Sequence, residues 1–295
     1  MSVRAVIFDV YQTLLEVGPP PDDADARWRA LWTRLPGNTP PPSLAAFTAD
    51  CEAVIRREHA LAREQGVAWP EVYWPAVTVA AAPALRALDP SVLDDWLFAH
   101  AQLVRTVRLD PHAGDVLRRL ASTGIAQGIA SNAQPYTWRE LEDALRTVGL
   151  DGACFDPALR FWSFEQGFSK PDPHVFRLLS ARLRARGISP DETLMVGDRL
   201  DNDVAPARRA GWQAWHLGRA GPVTVPGGSG DACLASAARL TVPESGECRR
   251  DDRTTGSGEV SGTKPAELVG DWQALDRFLA RVVEGYPFAA NQSTS

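Results

Sequence analysis

Ala5-Val6-Ile7-Phe8-Asp9-Val10-Tyr11-Gln12-Thr13-Leu14-Leu15 is the stretch that decides the fold. A run of apolar, largely β-branched and aromatic residues stops at a lone carboxylate and then turns. That is the pattern of a strand buried on both faces, and such strands belong to parallel sheets covered by helices. Open α/β sheets bind ligands beyond the carboxyl ends of their strands, so Asp9 stands where a reactive side chain would be presented and is a candidate nucleophile. An isolated Asp more often only closes a turn. The assignment therefore depends on what the other strand ends supply.

Outward from this strand the pattern changes twice. Gly18-Pro19-Pro20-Pro21 and Pro40-Pro41-Pro42-Ser43 break the chain, and between and after them run amphipathic segments, the first from about Asp22 to Leu35 with Trp28, Leu31, Trp32 and Leu35 on one face. Residues 16–108 read as all-helical. From Pro111 onward helices alternate with short apolar stretches: Ile125 to Ala130, Phe155-Asp156, Thr193 to Val196 and Gln213 to Leu217. Alternation of this kind predicts parallel β-structure. The expected fold class is α/β: a doubly wound parallel sheet with a smaller all-helical cap, the core formed by residues 1–15 and 109–295 and the cap by 16–108. Residues 220–265, rich in Gly, Ser, Thr and charge, are expected to be a flexible insertion. The chain is expected to rejoin the core at Glu267 to Val283, where Leu275, Phe278 and Leu279 share one helix face.

Composition narrows the function. The 295 residues carry 31 basic and 37 acidic side chains, a net charge of −6, so no basic field is available to hold a nucleic-acid backbone. Four cysteines, Cys51, Cys154, Cys233 and Cys248, show no metal-binding spacing and fit a reducing compartment. No long apolar run suits a membrane span. A soluble cytoplasmic protein acting on a small, anionic substrate is expected. His59, His100, His112, His174 and His216 lack ligand spacing and read as structural or solvated.

Three further loops offer what an aspartate nucleophile needs. Ser131-Asn132 places a hydroxyl and an amide at a strand end, suited to hydrogen-bonding anionic oxygens. Ser169-Lys170-Pro171-Asp172-Pro173 sets an ammonium before two prolines that stiffen its loop. Gly197-Asp198-Arg199-Leu200-Asp201-Asn202-Asp203 follows an apolar strand with a glycine and several carboxylates, the donor type of a hard cation.

In this order the four segments resemble the motifs of the haloacid dehalogenase superfamily of hydrolases, and the resemblance spans most of residues 1–219, including a helical cap inserted after the first motif. The resemblance implies that Asp9 is the nucleophile, supported by Thr13. Ser131 would contact the transferred group, Lys170 would orient the nucleophile and neutralise charge, and Asp198 with Asp203 would form the acidic fourth motif. Superfamily phosphatases carry a second Asp two residues after the nucleophile, as general acid; this chain has Tyr11 there. A phenol is a poor acid near neutral pH. The 2-haloacid dehalogenase branch carries Tyr at that position, and halide leaves without a proton. That branch, however, has Ser and Asn where this chain has Asp198 and Leu200, and works without metal. In the superfamily's magnesium site the corresponding residue gives only its backbone carbonyl, so Mg²⁺ held by Asp9, Tyr11, Asp198 and Asp203 is expected. Tyr11, Ser131 and Asn132 are the expected substrate contacts. Phosphate ester or anhydride hydrolysis is the expected reaction. A 2-haloacid dehalogenase is the alternative, and a catalytically weakened ligand- or partner-binding protein, with residues 244–260 as contact surface, is a third reading.

Overall fold

The computed structural model describes residues 2–37, 40–218 and 268–285. In chain order the elements are β1 (Ala5–Phe8), β2 (Leu15–Gly18), α1 (Ala24–Trp32), α2 (Leu44–Glu64), α3 (Trp74–Ala81), α4 (Pro90–Val104), β3 (Thr106–Leu109) and α5 (Ala113–Ala121). There follow β4 (Ala126–Ser131), α6 (Tyr136–Arg146), β5 (Arg160–Trp162), α7 (Ser163–Gln166), α8 (Pro173–Arg184), β6 (Thr193–Gly197), α9 (Ala205–Arg209), β7 (Gln213–Leu217), β8 (Leu268–Gly270) and α10 (Trp272–Val282).

Six strands form one sheet in the order β5-β4-β1-β6-β7-β8, every pairing parallel. β1 lies between β4 and β6, with Phe8 in register with Ile129 and Val196. Its side chains alternate between two cores, which is why the run is apolar throughout. Val6 and Phe8 pack with α5, α6 and α10; Ala5 and Ile7 pack with α8 and α9. Gly128 permits this closeness, since a Cβ there would meet the Leu159 carbonyl oxygen at 2.5 Å and Ile7 Cδ1 at 2.6 Å. The final helix is capped by Asp271, whose side chain accepts from Ala274 N, and buries Leu275, Phe278 and Leu279 as expected.

Two expectations need correction. The helical reading of residues 16–108 was too wide: β2 and β3 pair antiparallel at its two ends, Leu15 opposite Leu109 and Gly18 opposite Thr106. Four-residue strands are too short to overcome the helical pattern beside them. Phe155-Asp156 is not a strand. Phe155 is buried beneath Phe8 at a ring separation of 6.3 Å, and β5 starts at Arg160. The expected insertion at 220–265, the acidic stretch 244–260, Cys233 and Cys248 lie outside the described residues. Among the described residues no helix is long and apolar enough to cross a membrane.

The helices between β2 and β3 have a core of their own. In α2, Ser43 accepts from Ala46 N, and Phe47, Cys51, Ile55 and His59 recur every fourth residue to form the buried stripe. Trp28, Phe47, Trp74 and Trp96 close around His100, whose ring stacks on Trp96 at 5.7 Å. The tryptophans thus bind helices together, the packing role their spacing favours. Both His100 ring nitrogens are buried without a partner, and burial lowers its pKa from 6.5 to about 4, with Arg105 adding to the shift.

A neutral histidine in an apolar box ties folding to pH. The unfolded chain takes up a proton near 6.5 and the folded chain only near 4, so the stability tied to neutral His100 is complete above about pH 6.5. It is lost as the pH falls toward 4, about 3 kcal/mol in all. Urea unfolding at neutral and acid pH is expected to show a smaller acid loss for His100→Phe than for the parent chain; parallel pH curves would contradict this.

Candidate active site

Each strand end delivers one component. Asp9 follows β1, Ser131 ends β4, Asp198 follows β6, and Lys170 arrives on the loop before α8. β1 is where successive connections run to opposite sides of the sheet, first to β4 and β5, later to β6 and β7, so the crevice opens beside Asp9. The Asp9 amide donates to the Val196 carbonyl at 2.9 Å, holding the residue against the end of β6. The loop then folds back on itself: Leu15 N donates to Val10 O at 2.8 Å, Gln12 takes a left-handed φ of 61°, and Thr13 Oγ1 reaches Asp9 Oδ2 at 3.3 Å. Gln12 is thereby held in a conformation that side-chain-bearing residues seldom adopt.

Lys170 Nζ joins two carboxylates, donating to Asp9 Oδ1 at 2.7 Å and to Asp203 Oδ1 at 2.6 Å, with only 3% of the lysine exposed. Asp203 Oδ2 accepts from Arg199 N at 3.1 Å. Gly197 is required here, because a Cβ would lie 2.4 Å from the Asp203 carboxyl. His216 Nε2 donates to the Asp198 carbonyl oxygen at 3.0 Å. Carboxylate oxygens of Asp9, Asp198 and Asp203 all lie within 4.8 Å of one another.

One ammonium does not balance three carboxylates. Burial, then the charges of Asp9 and Asp203, raises the Asp198 pKa from 3.8 to about 7. Burial and Asp9 raise Asp203 to about 6 in spite of Lys170. Burial opposes the charge on Lys170, yet Asp203 and Asp9 outweigh it and hold its pKa above the ordinary lysine value. Ser131 contributes a different deficit: its Oγ is fully buried and has no hydrogen-bond partner. An unpartnered hydroxyl at a strand end is a place for a ligand oxygen.

Asn132 and Tyr11 are both engaged. Asn132 Oδ1 accepts from Lys170 N at 2.8 Å and its Nδ2 donates to Lys170 O at 2.9 Å, so this amide holds the lysine loop, with one N–H left over. The Tyr11 hydroxyl accepts from Arg105 Nη2 at 2.6 Å, donates to Glu140 Oε2 at 2.5 Å and lies 2.8 Å from Thr137 Oγ1. Burial lifts its pKa well above 10, which removes it as an acid near neutral pH.

A family model for haloacid dehalogenase-like hydrolases matches residues 3–211, a span holding all of these residues except His216. The chain belongs to that family. This haloacid dehalogenase-like hydrolase is 36% identical over 110 residues to a phosphoserine phosphatase of Thermus thermophilus, covering 37% of this chain and 41% of that one. It is 33% identical over 132 residues to a glyceraldehyde 3-phosphate phosphatase of Pyrococcus furiosus, covering 43% and 51%. The hydrolase thus spans about half the length, or less, of these curated relatives. Among solved structures, an L-2-haloacid dehalogenase from Xanthobacter autotrophicus aligns over 95% of this chain and 98% of its own, with 21% identity and a TM-score of 0.48.

Sequence reasoning missed Arg105, Glu140 and Glu71. Glu140 left a signal: it lies on the buried side of α6 with Tyr136, Thr137, Leu141 and Ala144, where a carboxylate requires a partner. Glu71 left none. It comes from the loop before α3, accepts from Ser163 Oγ at 2.8 Å and Gln134 Nε2 at 3.1 Å, and is raised to about 7 by burial. Its neighbours pair with the lysine loop, Glu71 N to Gly167 O at 3.0 Å and Ser169 N to Trp69 O at 2.9 Å. The helical insert therefore rests directly on the segment that carries Lys170.

Three converging carboxylates, two of them pushed toward neutrality by burial and by one another's charge, fit a hard divalent cation, which would be held by Asp9, Asp198 and Asp203. Binding it expels their protons. Affinity for Mg²⁺ is expected to rise from about pH 6 to about pH 8, with the largest proton release at the lower end. Calorimetry in buffers of different ionisation enthalpy measures both. Asp198→Asn is expected to weaken binding by at least about tenfold and flatten the profile. A pH-independent affinity would contradict this assignment.

Proposed function

We propose that this hydrolase is a Mg²⁺-dependent phosphatase that forms an aspartyl-phosphate at Asp9. The observation that carries the reading is Asp198: a third carboxylate facing Asp9 and Asp203 that Lys170 alone leaves uncompensated. A site for an anionic substrate with that charge balance calls for a cation. The phosphatase names of the curated relatives agree with it.

In this reading Asp9 attacks phosphorus while the bond to the leaving oxygen breaks. Thr13 and Lys170 hold the two Asp9 oxygens in place, and Lys170 offsets charge on the transferred group. The unpartnered Ser131 hydroxyl donates to a phosphoryl oxygen, and the free N–H of Asn132 points to a second role beyond holding the lysine loop. Asp9, Asp198, Asp203 and the Tyr11 carbonyl would hold Mg²⁺, which would supply positive charge against the phosphoryl oxygens. Water then attacks phosphorus, the Asp9–phosphorus bond breaks, and inorganic phosphate leaves. Tyr11 keeps its proton, engaged in a hydrogen bond to Glu140, so the leaving oxygen departs without a proton from residue 11. Acyl or aryl phosphates are the substrate class that suits this, and the helical insert, acting as a cap, would select among them.

Tyr11 is also the observation that favours a second reading, a 2-haloacid dehalogenase in which Asp9 displaces halide from carbon. Two assays separate the readings. With Mg²⁺ and a series of phosphate esters, rates are expected to climb steeply as the leaving-group pKa falls, and Asp9→Asn to lose at least about 10³-fold. Equal rates for alkyl and aryl esters would contradict the missing acid. Chloride release from 2-chloropropionate in the presence of a chelator would replace the phosphatase reading by the dehalogenase one.

A further inference from the structure

The nucleophile loop is fastened from outside the four motifs. The Tyr11 hydroxyl sits among three partners on two other elements: Thr137 and Glu140 on α6, and Arg105, the residue that follows α4 and precedes β3. Arg105 Nη2 also donates to both Glu140 oxygens, at 2.8 and 3.1 Å, and its guanidinium lies 4.5 Å from the Tyr11 ring centroid. Gln102 of α4 completes the group, donating from Nε2 to Glu140 Oε1 at 2.8 Å. The Glu140 side chain is fully buried and that of Arg105 is 9% exposed.

Burying an arginine and a glutamate costs desolvation that their attraction only partly returns, so apolar residues of the same size would serve stability equally well. What such a pair supplies is a fixed direction: one nitrogen, Arg105 Nη2, serves the Tyr11 hydroxyl and both Glu140 oxygens while the guanidinium lies against the Tyr11 ring. Here that direction is imposed on Tyr11. The next residue, Gln12, holds its left-handed φ, and Gln12 N donates to Leu15 O at 2.7 Å, closing the turn that presents Asp9 and Thr13. A strained turn persists only where its surroundings over-determine it. The same group reaches the helical insert twice more. Thr137 Oγ1 accepts from Gln134 N at 3.1 Å, and the Gln134 side chain accepts from Trp74 N at 2.9 Å and donates to Val72 O at 3.0 Å.

We propose that Arg105 and Glu140 are positioning residues for the nucleophile: through the Tyr11 phenol they hold the turn at residues 10–13 and tie its geometry to the seating of the helical insert. Tyr11 is then kept for its grip on this pair rather than for acid catalysis. The proposal rests on the phosphatase reading only for its kinetic part.

The test uses the full chain with Tyr11→Phe, which removes one hydroxyl, and the double variant Arg105→Met/Glu140→Met, which leaves no buried charge unpaired and so avoids the unfolding expected of either single change. Hydrogen exchange is read by mass spectrometry in residues 9–15 and, as an internal control, in β6. Exchange in 9–15 is expected to quicken by at least about tenfold in both variants while β6 is unchanged. On p-nitrophenyl phosphate with Mg²⁺, kcat is expected to fall by about tenfold or more with KM within about twofold, and Arg105→Lys to recover part of the loss. Unchanged exchange in 9–15, or quickening shared equally by β6, would overturn the proposal whatever the activity. A parent chain inert toward p-nitrophenyl phosphate would count against the phosphatase reading and leave the exchange result to judge this one.

Discussion

A single buried ammonium holds the centre of this molecule together. Lys170 Nζ lies between Asp9 and Asp203, 2.7 and 2.6 Å away, while Asp198 faces the same space without a cation of its own. Two carboxylates and one ammonium leave one negative charge, and the third carboxylate makes two. The protein accommodates this only by raising the pKa values of Asp198 and Asp203 or by admitting a cation. The proposed nucleophilic role of Asp9 and the proposed metal site of the three carboxylates both rest on that imbalance.

The rest of the fold brings these groups to one point and keeps them there. A parallel sheet with β1 at its middle aligns three strand ends, and the glycine at 197 lets the Asp203 carboxyl lie against β6. Asn132 fixes the lysine loop through both of its amide atoms, and the insert presses on that loop from Trp69 to Glu71. Most of the proposed catalytic groups thus sit on loops, but on loops pinned by buried polar contacts, which would supply the pre-organisation that electrostatic stabilisation requires.

Much of this was legible in the residues. The run Ala5 to Phe8 announced a doubly buried strand, and the Asp9, Ser131, Lys170 and Asp198–Asp203 segments announced themselves in order, because strand ends and glycine or proline turns leave local marks. The ribbon of β2 and β3 did not, since four residues carry no periodicity. Nor did the partners of Tyr11. Arg105 and Glu140 are 94 and 129 positions away from it in sequence, and nothing local to an arginine at a helix end foretells a tyrosine against it. Tyr11 stands out in the sequence as a departure from the motif that the chain resembles, whereas the cause of its engagement is purely tertiary. The partnerless nitrogens of His100 were equally invisible, because an aromatic box assembled from α1, α2, α3 and α4 exists only after packing.

The account turns on a covalent bond to Asp9. Mixing the Mg²⁺-loaded protein with an excess of acetyl phosphate, quenching in acid within the first turnover and weighing the peptides tests it directly. The account predicts the mass of one phosphoryl group on the peptide containing Asp9, absent after Asp9→Asn. Phosphate release from the unaltered chain with no phosphoryl group on that peptide at any quench time would contradict it.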